Sequence, residues 1–147
     1  MTFPKEIPPL DLASDAATAQ AYAALTQDWN PIHLDPEFAA GTPFGRPIAH
    51  GTMALNLLVE AVARAGLRLA ELEIRFTAPT YVGQRLTATA QRRNGVGPEG
   101  AETGAAEMEE AQAEAAETGG MPYDVTVLAD GGTRVLSGTA LLAPRRG

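Results

Sequence analysis

Two short stretches of this chain hold residue types that can do chemistry. In "DWNPIHLDP", residues 28–36, Asp28, Asn30 and His33 fall within six positions, and His33 is one of only two histidines in the chain. Pro31 interrupts the stretch and predicts a loop, where catalytic groups concentrate. A carboxylate and an imidazole placed there can move protons. The same spacing also makes an ordinary turn, because Asp and Asn side chains bond nearby backbone. The second stretch is His50-Gly51, at the start of a long apolar run. Amides at a helix start have no intrahelical partners and carry partial positive charge, so they can hold negative charge developing on an oxygen. Gly51 has no side chain to shield its amide, and a carbonyl placed against it could be polarised toward an enolate. Close packing of the helix start would explain the glycine equally well.

The elements that must position these residues are legible in outline. "SDAATAQAYAAL", Ser14 to Leu25, predicts a helix with Ser14 or Asp15 capping its start and Ala17, Ala21, Tyr22 and Leu25 on its apolar face. That helix is expected to end just before Asp28, and Asn30-Pro31 breaks any continuation, since a residue before proline is pushed out of the α region. "DPEFAA" reads as one helical turn with Pro36 near its start, and Asp35 and Glu37 are suited to its N-terminus. From Thr52 to Gly66 apolar residues occupy almost every face, which predicts a helix surrounded by protein and ended by Gly66. Strands follow: Leu72, Ile74 and Phe76 alternate inward, then Leu86, Ala88 and Ala90, then Tyr123, Val125 and Val127, with a hairpin at Asp130 to Gly132 leading into "TRVLSGTALLA". A buried helix followed by antiparallel strands implies an α+β domain with its sheet wrapped around that helix.

Composition narrows the function classes. A length of 147 residues suits a single domain, 1–147. Residues 94–120 are a low-complexity insertion with seven glutamates and no lysine or arginine; the remainder balances eleven acidic against eleven basic residues. The formal charge of −7 therefore belongs to the insertion, and no clustered basic face for nucleic acid is visible. The absence of cysteine excludes disulfides and thiolate chemistry and suits a reducing cytoplasm. The stretch "MTFPKEIPPLDL" lacks the basic and apolar regions of a signal peptide and no apolar run approaches membrane-spanning length, so a soluble, cytoplasmic protein is expected. With no cysteine and no clustered histidines, no metal site is expected.

"YAALTQDWNPIHLDPEFAAGTPFGRPIAHG", Tyr22 to Gly51, resembles the hydratase-2 motif of the MaoC-like, (R)-specific enoyl-CoA hydratases, which have a hot dog fold. Its two linked pieces, Asp-x-Asn-Pro-x-x-His and Phe-Gly-x-Pro-x-x-His-Gly, make the signal specific. The resemblance implies a sheet curled around a long central helix, a homodimer, and reversible hydration of trans-2-enoyl-CoA to (R)-3-hydroxyacyl-CoA in acyl-thioester metabolism. No separate cofactor is implied, because coenzyme A is part of the substrate.

Carried over by residue, the resemblance makes Asp28 and His33 the catalytic pair, Asn30 their support and Gly51 the oxyanion-hole amide. Asp28 and His33 would grip one water from two sides, and the interruption at Pro31 would let them converge. Trp29 and Phe44 either line the acyl pocket or pack, and His50 is expected at the helix start beside the substrate. The family usually has a small residue and glycine before the aspartate. Here the pair is Thr26-Gln27, and Gln27 is expected to narrow the pocket or alter how Asp28 is held. Arg46, Arg75, Arg85, Arg92 and Arg93 are candidate contacts for CoA phosphates. Two other functions suit the same fold: thioester hydrolysis with Asp28 activating water, and a non-catalytic acyl-thioester binding module.

Overall fold

The structure is a computed structural model that describes residues 3–93 and 119–146. In chain order its elements are β1 (Leu10–Ala13), α1 (Ala16–Thr26), α2 (Pro31–Leu34), α3 (Pro36–Ala40), α4 (Gly51–Arg64), β2 (Leu67–Phe76), β3 (Arg85–Arg92), β4 (Met121–Ala129) and β5 (Thr133–Pro144). The five strands form one antiparallel sheet in the order β1-β3-β4-β5-β2. The acidic insertion falls almost wholly on residues 94–118, outside the described residues.

The core lies between α4 and the concave face of the sheet. Met53, Ala54, Leu57, Leu58, Ala61 and Val62 recur at helical spacing and are all buried. Facing them, Leu86, Ala88 and Ala90 of β3 and Tyr123, Val125 and Val127 of β4 are buried at every second position. These two strands are central, so one face of each is fully covered and their alternation is clean. Register shifts at Leu69/Glu71 in β2 and at Val127/Leu128 in β4 bend the sheet as bulges do. Gly138 of β5 is required by close approach, since a Cβ there would meet the Glu73 carbonyl oxygen and Ile74 Cα of β2. The expected hairpin joins β4 to β5 through Gly131 and Gly132, both at positive φ. Gly66, also at positive φ, follows α4 as expected.

Three expectations need correction, and one strand is new. Around α4, Asn56, Val59 and Glu60 are exposed, because the sheet covers one side only and α1 covers part of the other. On α1 the buried residues are Ala19 and Ala23, while Ala17, Ala21 and Leu25 are exposed; alanines ring this helix, so its pattern selects no face. Phe76 is 54% exposed where inward burial was expected. The first strand, β1, was not anticipated at all: it pairs Leu10 with Ala88 and Leu12 with Leu86, and in sequence it is four residues behind Pro8-Pro9. Among the described residues, no helix is long and apolar enough to cross a membrane.

Candidate active site

The segment between α1 and α4 builds the site. Helix α1 ends just before Asp28, as expected, at Gln27, which takes the left-handed conformation at φ 60°, so the chain has left the helix before Pro31 is reached. Its Nε2 donates to the Ala24 carbonyl at 2.7 Å and its side chain is exposed, so Gln27 caps the helix and does not narrow a pocket. Pro31 begins a helix: it occupies the first turn of α2, where its missing N–H has no intrahelical acceptor to lose. Asn30 caps that turn, its side-chain oxygen accepting from the Ile32 amide at 3.1 Å. His33 thus sits on a capped helical turn and not on a loop. Asp35 caps the next turn, accepting from the amides of Glu37 and Phe38, as its sequence position suggested.

This local structure brings Asp28 and His33 together. The Asn30 amide donates to Asp28 Oδ1 at 3.3 Å, and the other carboxylate oxygen, Oδ2, lies 3.6 Å from His33 Nε2. His33 Nδ1 is 2.7 Å from the Ile48 carbonyl, which can only accept, so Nδ1 carries a proton. In the neutral ring Nε2 therefore presents a lone pair toward Asp28. Two acceptors at 3.6 Å make no direct hydrogen bond, whereas one water donating a hydrogen to each can span the gap. The His33 side chain is 11% exposed and that of Asp28 is 50% exposed, so the pair is reachable from solvent on one side.

His50 lies behind this pair. It is 3% exposed, its Nε2 donates to the Asp28 backbone carbonyl at 3.0 Å, and its ring stacks on His33 with centroids 3.9 Å apart. Gly51 follows as the first residue of α4. A methyl group added at Gly51 would meet nothing within 4 Å, so the close-packing explanation of this glycine fails; the space beyond it is open. That space is a cavity of about 420 Å³ walled by His33, Gly51, Phe44, Ala54, Phe76 and Val135.

Of the aromatic candidates, Phe44 is on the cavity wall, while Trp29 is 52% exposed and lies outside the lining. The sequence reading missed the opposite wall, Phe76 to Thr80 with Val135. The one available signal was a phenylalanine at the end of an alternating strand. Among the arginines, Arg85 pairs with Asp11 and Arg93 with Asp124, Arg92 donates to the Phe3 carbonyl, and Arg46 stacks over the Tyr81 ring at 3.9 Å. Asp28, His33 and His50 offer possible metal-ligand atoms within 4.8 Å of one another. The two rings stack at an interplanar angle of 26°.

The description "MaoC like domain" fits residues 4–114, three quarters of the chain. The chain belongs to the MaoC-like domain family. An (R)-specific enoyl-CoA hydratase of Aeromonas caviae is 40% identical over 80 residues, which are 52% of this chain and 60% of that protein. The 3-hydroxyacyl-thioester dehydratase Z of Mycobacterium tuberculosis is 43% identical over 77 residues, 47% of this chain and 51% of that one. This MaoC-like chain thus aligns with about half to three fifths of the length of these relatives. The solved structure of the (R)-hydratase from A. caviae superposes with a TM-score of 0.74 at 24% identity, covering 99% of this chain and 98% of that chain. That likeness establishes the hot dog fold for this MaoC-like chain.

Proposed function

We propose that this protein hydrates trans-2-enoyl-CoA to (R)-3-hydroxyacyl-CoA and catalyses the reverse dehydration. The observation that carries the reading is the placement of His33 and Gly51 on one cavity, with the Asp28 carboxylate 3.6 Å from the imidazole. In the forward direction a water held between Asp28 and His33 loses a proton to the pair as its oxygen bonds to C3. The C2–C3 π electrons move toward the thioester oxygen, where the Gly51 amide stabilises the enolate-like charge. The electrons return as C2 takes a proton from the pair, so one proton is taken and one given back. Asp28 and His33 together serve as the acid and the base of the reaction.

The relatives named above act as hydratases or dehydratases of acyl thioesters, which supports both the reaction and its (R) stereochemistry. The reaction is redox-neutral and calls on no cofactor beyond the CoA of its substrate. Phe44, Phe76, Ala54 and Val135 give the cavity an apolar lining suited to an acyl chain. The strands β1 and β2 stand at the sheet's two edges, which suits pairing in a homodimer. A chain without cysteine suits the cytoplasm.

The test is incubation with crotonyl-CoA. Loss of the conjugated enoyl absorbance without release of thiol is the expected result, and chromatography should identify the (R) product. Release of free CoA would mean hydrolysis. Binding without turnover would mean an acyl-thioester binding module.

A further inference from the structure

Among the described residues, His50 is the one buried polar side chain that touches both members of the catalytic pair. Its Nε2–H holds the Asp28 backbone carbonyl at 3.0 Å, its ring stacks on His33 with centroids 3.9 Å apart, and its own peptide bond leads into Gly51. The ring is held in turn by Tyr22, whose centroid lies 4.9 Å away. The Tyr22 hydroxyl is tied to α4 by Thr52 Oγ1 at 2.6 Å and by the Asn56 amide at 2.7 Å.

The other nitrogen of His50, Nδ1, is buried without a hydrogen-bond partner among the described residues. Leaving a polar atom unsatisfied in the interior is unfavourable, and an apolar ring of the same shape would fill the space without that penalty. A histidine at this position is therefore explained by what Nε2 does. That nitrogen ties the start of Asp28-Trp29-Asn30 to the start of α4, while the ring face fixes the plane of His33.

We infer that His50 is a positioning residue that sets the separation of Asp28 and His33 and their height above the Gly51 amide. It acts through those groups and takes no part in the proton transfers. The inference rests on the hydration reading for its kinetic consequence, and its geometric consequence stands apart from that reading.

Two variants separate the donor from the ring. His50→Phe keeps a stacked aromatic ring and loses Nε2–H; His50→Gln keeps an amide N–H at a similar reach and loses the aromatic face. With crotonyl-CoA, His50→Phe should lower kcat by about 10–100-fold with KM little changed, the loss that a displacement of about 1 Å produces at reacting groups. His50→Gln should recover most of kcat. Crystal structures of both variants should show the Asp28–His33 separation widened in His50→Phe and kept in His50→Gln.

Wild-type kcat in a folded His50→Phe protein, or an unchanged Asp28–His33 separation in its crystal structure, would overturn the inference. Equal losses in the two variants would overturn the role of the donor. If the parent enzyme shows no hydration at all, the proposed function fails, and the crystallographic comparison still decides whether His50 sets the geometry.

Discussion

Replacing Gly51 with alanine separates an exposed catalytic amide from a packing glycine. The φ of Gly51 lies outside the left-handed region, and the added methyl meets nothing within 4 Å, so the fold accepts it. Alanine narrows the unfolded ensemble, and at a compatible position that stabilises by about 0.4–1 kcal/mol. For a domain of this size the change corresponds to a rise in Tm of about 1–4 °C. Gly51 lines the cavity, and under the proposed reaction its amide receives the thioester oxygen, which a methyl group there would obstruct. Removing one oxyanion donor typically lowers kcat by about 10²–10³-fold, and obstruction of this one should reach about 10²-fold. Calorimetry and crotonyl-CoA kinetics on the same preparation test both arms. A Gly51→Ala protein with unchanged or raised Tm and a kcat within a few-fold of the parent would refute the assignment of this amide. A lowered Tm would restore the packing explanation.

Other substitutions probe the supports of the site and the fold. Asn30→Ala removes the cap of α2 and should cost about 1 kcal/mol in chemical denaturation, with a larger proportional loss of kcat because His33 rides on that single turn. Gln27→Gly should relieve the left-handed backbone by up to about 1 kcal/mol, seen as a higher denaturation midpoint, with activity unchanged since Gln27 lies outside the cavity lining. Burial pushes the Tyr123 hydroxyl from 10.0 up to about 12, and Arg92 pulls it weakly the other way. The folded value is raised, so the contribution of this group to stability is whole below pH 10 and is lost between pH 10 and about 12. Denaturation midpoints measured across that window should fall, and Tyr123→Phe should flatten the decline.

The sequence was most informative where one physical signal dominated. Strands β3 and β4 are central and covered on one face, so their period-two pattern survives intact, and the left-handed glycines of the hairpin mark its turn. Proline was ambiguous. Pro31 excludes continuation of a helix and equally favours the first turn of a new one, and only the structure shows α2 beginning there after Gln27 has already ended α1. Strand β1 depends on pairing with residues about 75 positions later, and four residues carry too little pattern to announce it. The same holds for the cavity. The motif residues Asp28, His33 and Gly51 are local and recognisable, but Phe76 and Val135 reach the wall through the register of β2 and β5, where nothing in their neighbourhood signals a ligand.

Kinetics of Asp28→Asn, His33→Gln and the double variant test the central idea most directly, since a water shared by two groups is lost when either group fails. Each single change should lower kcat by about 10²–10⁴-fold, and the double variant should be scarcely worse than the poorer single one. Losses that multiply in the double variant would mean that Asp28 and His33 act independently, and a single variant with near-parent turnover would contradict the shared water outright.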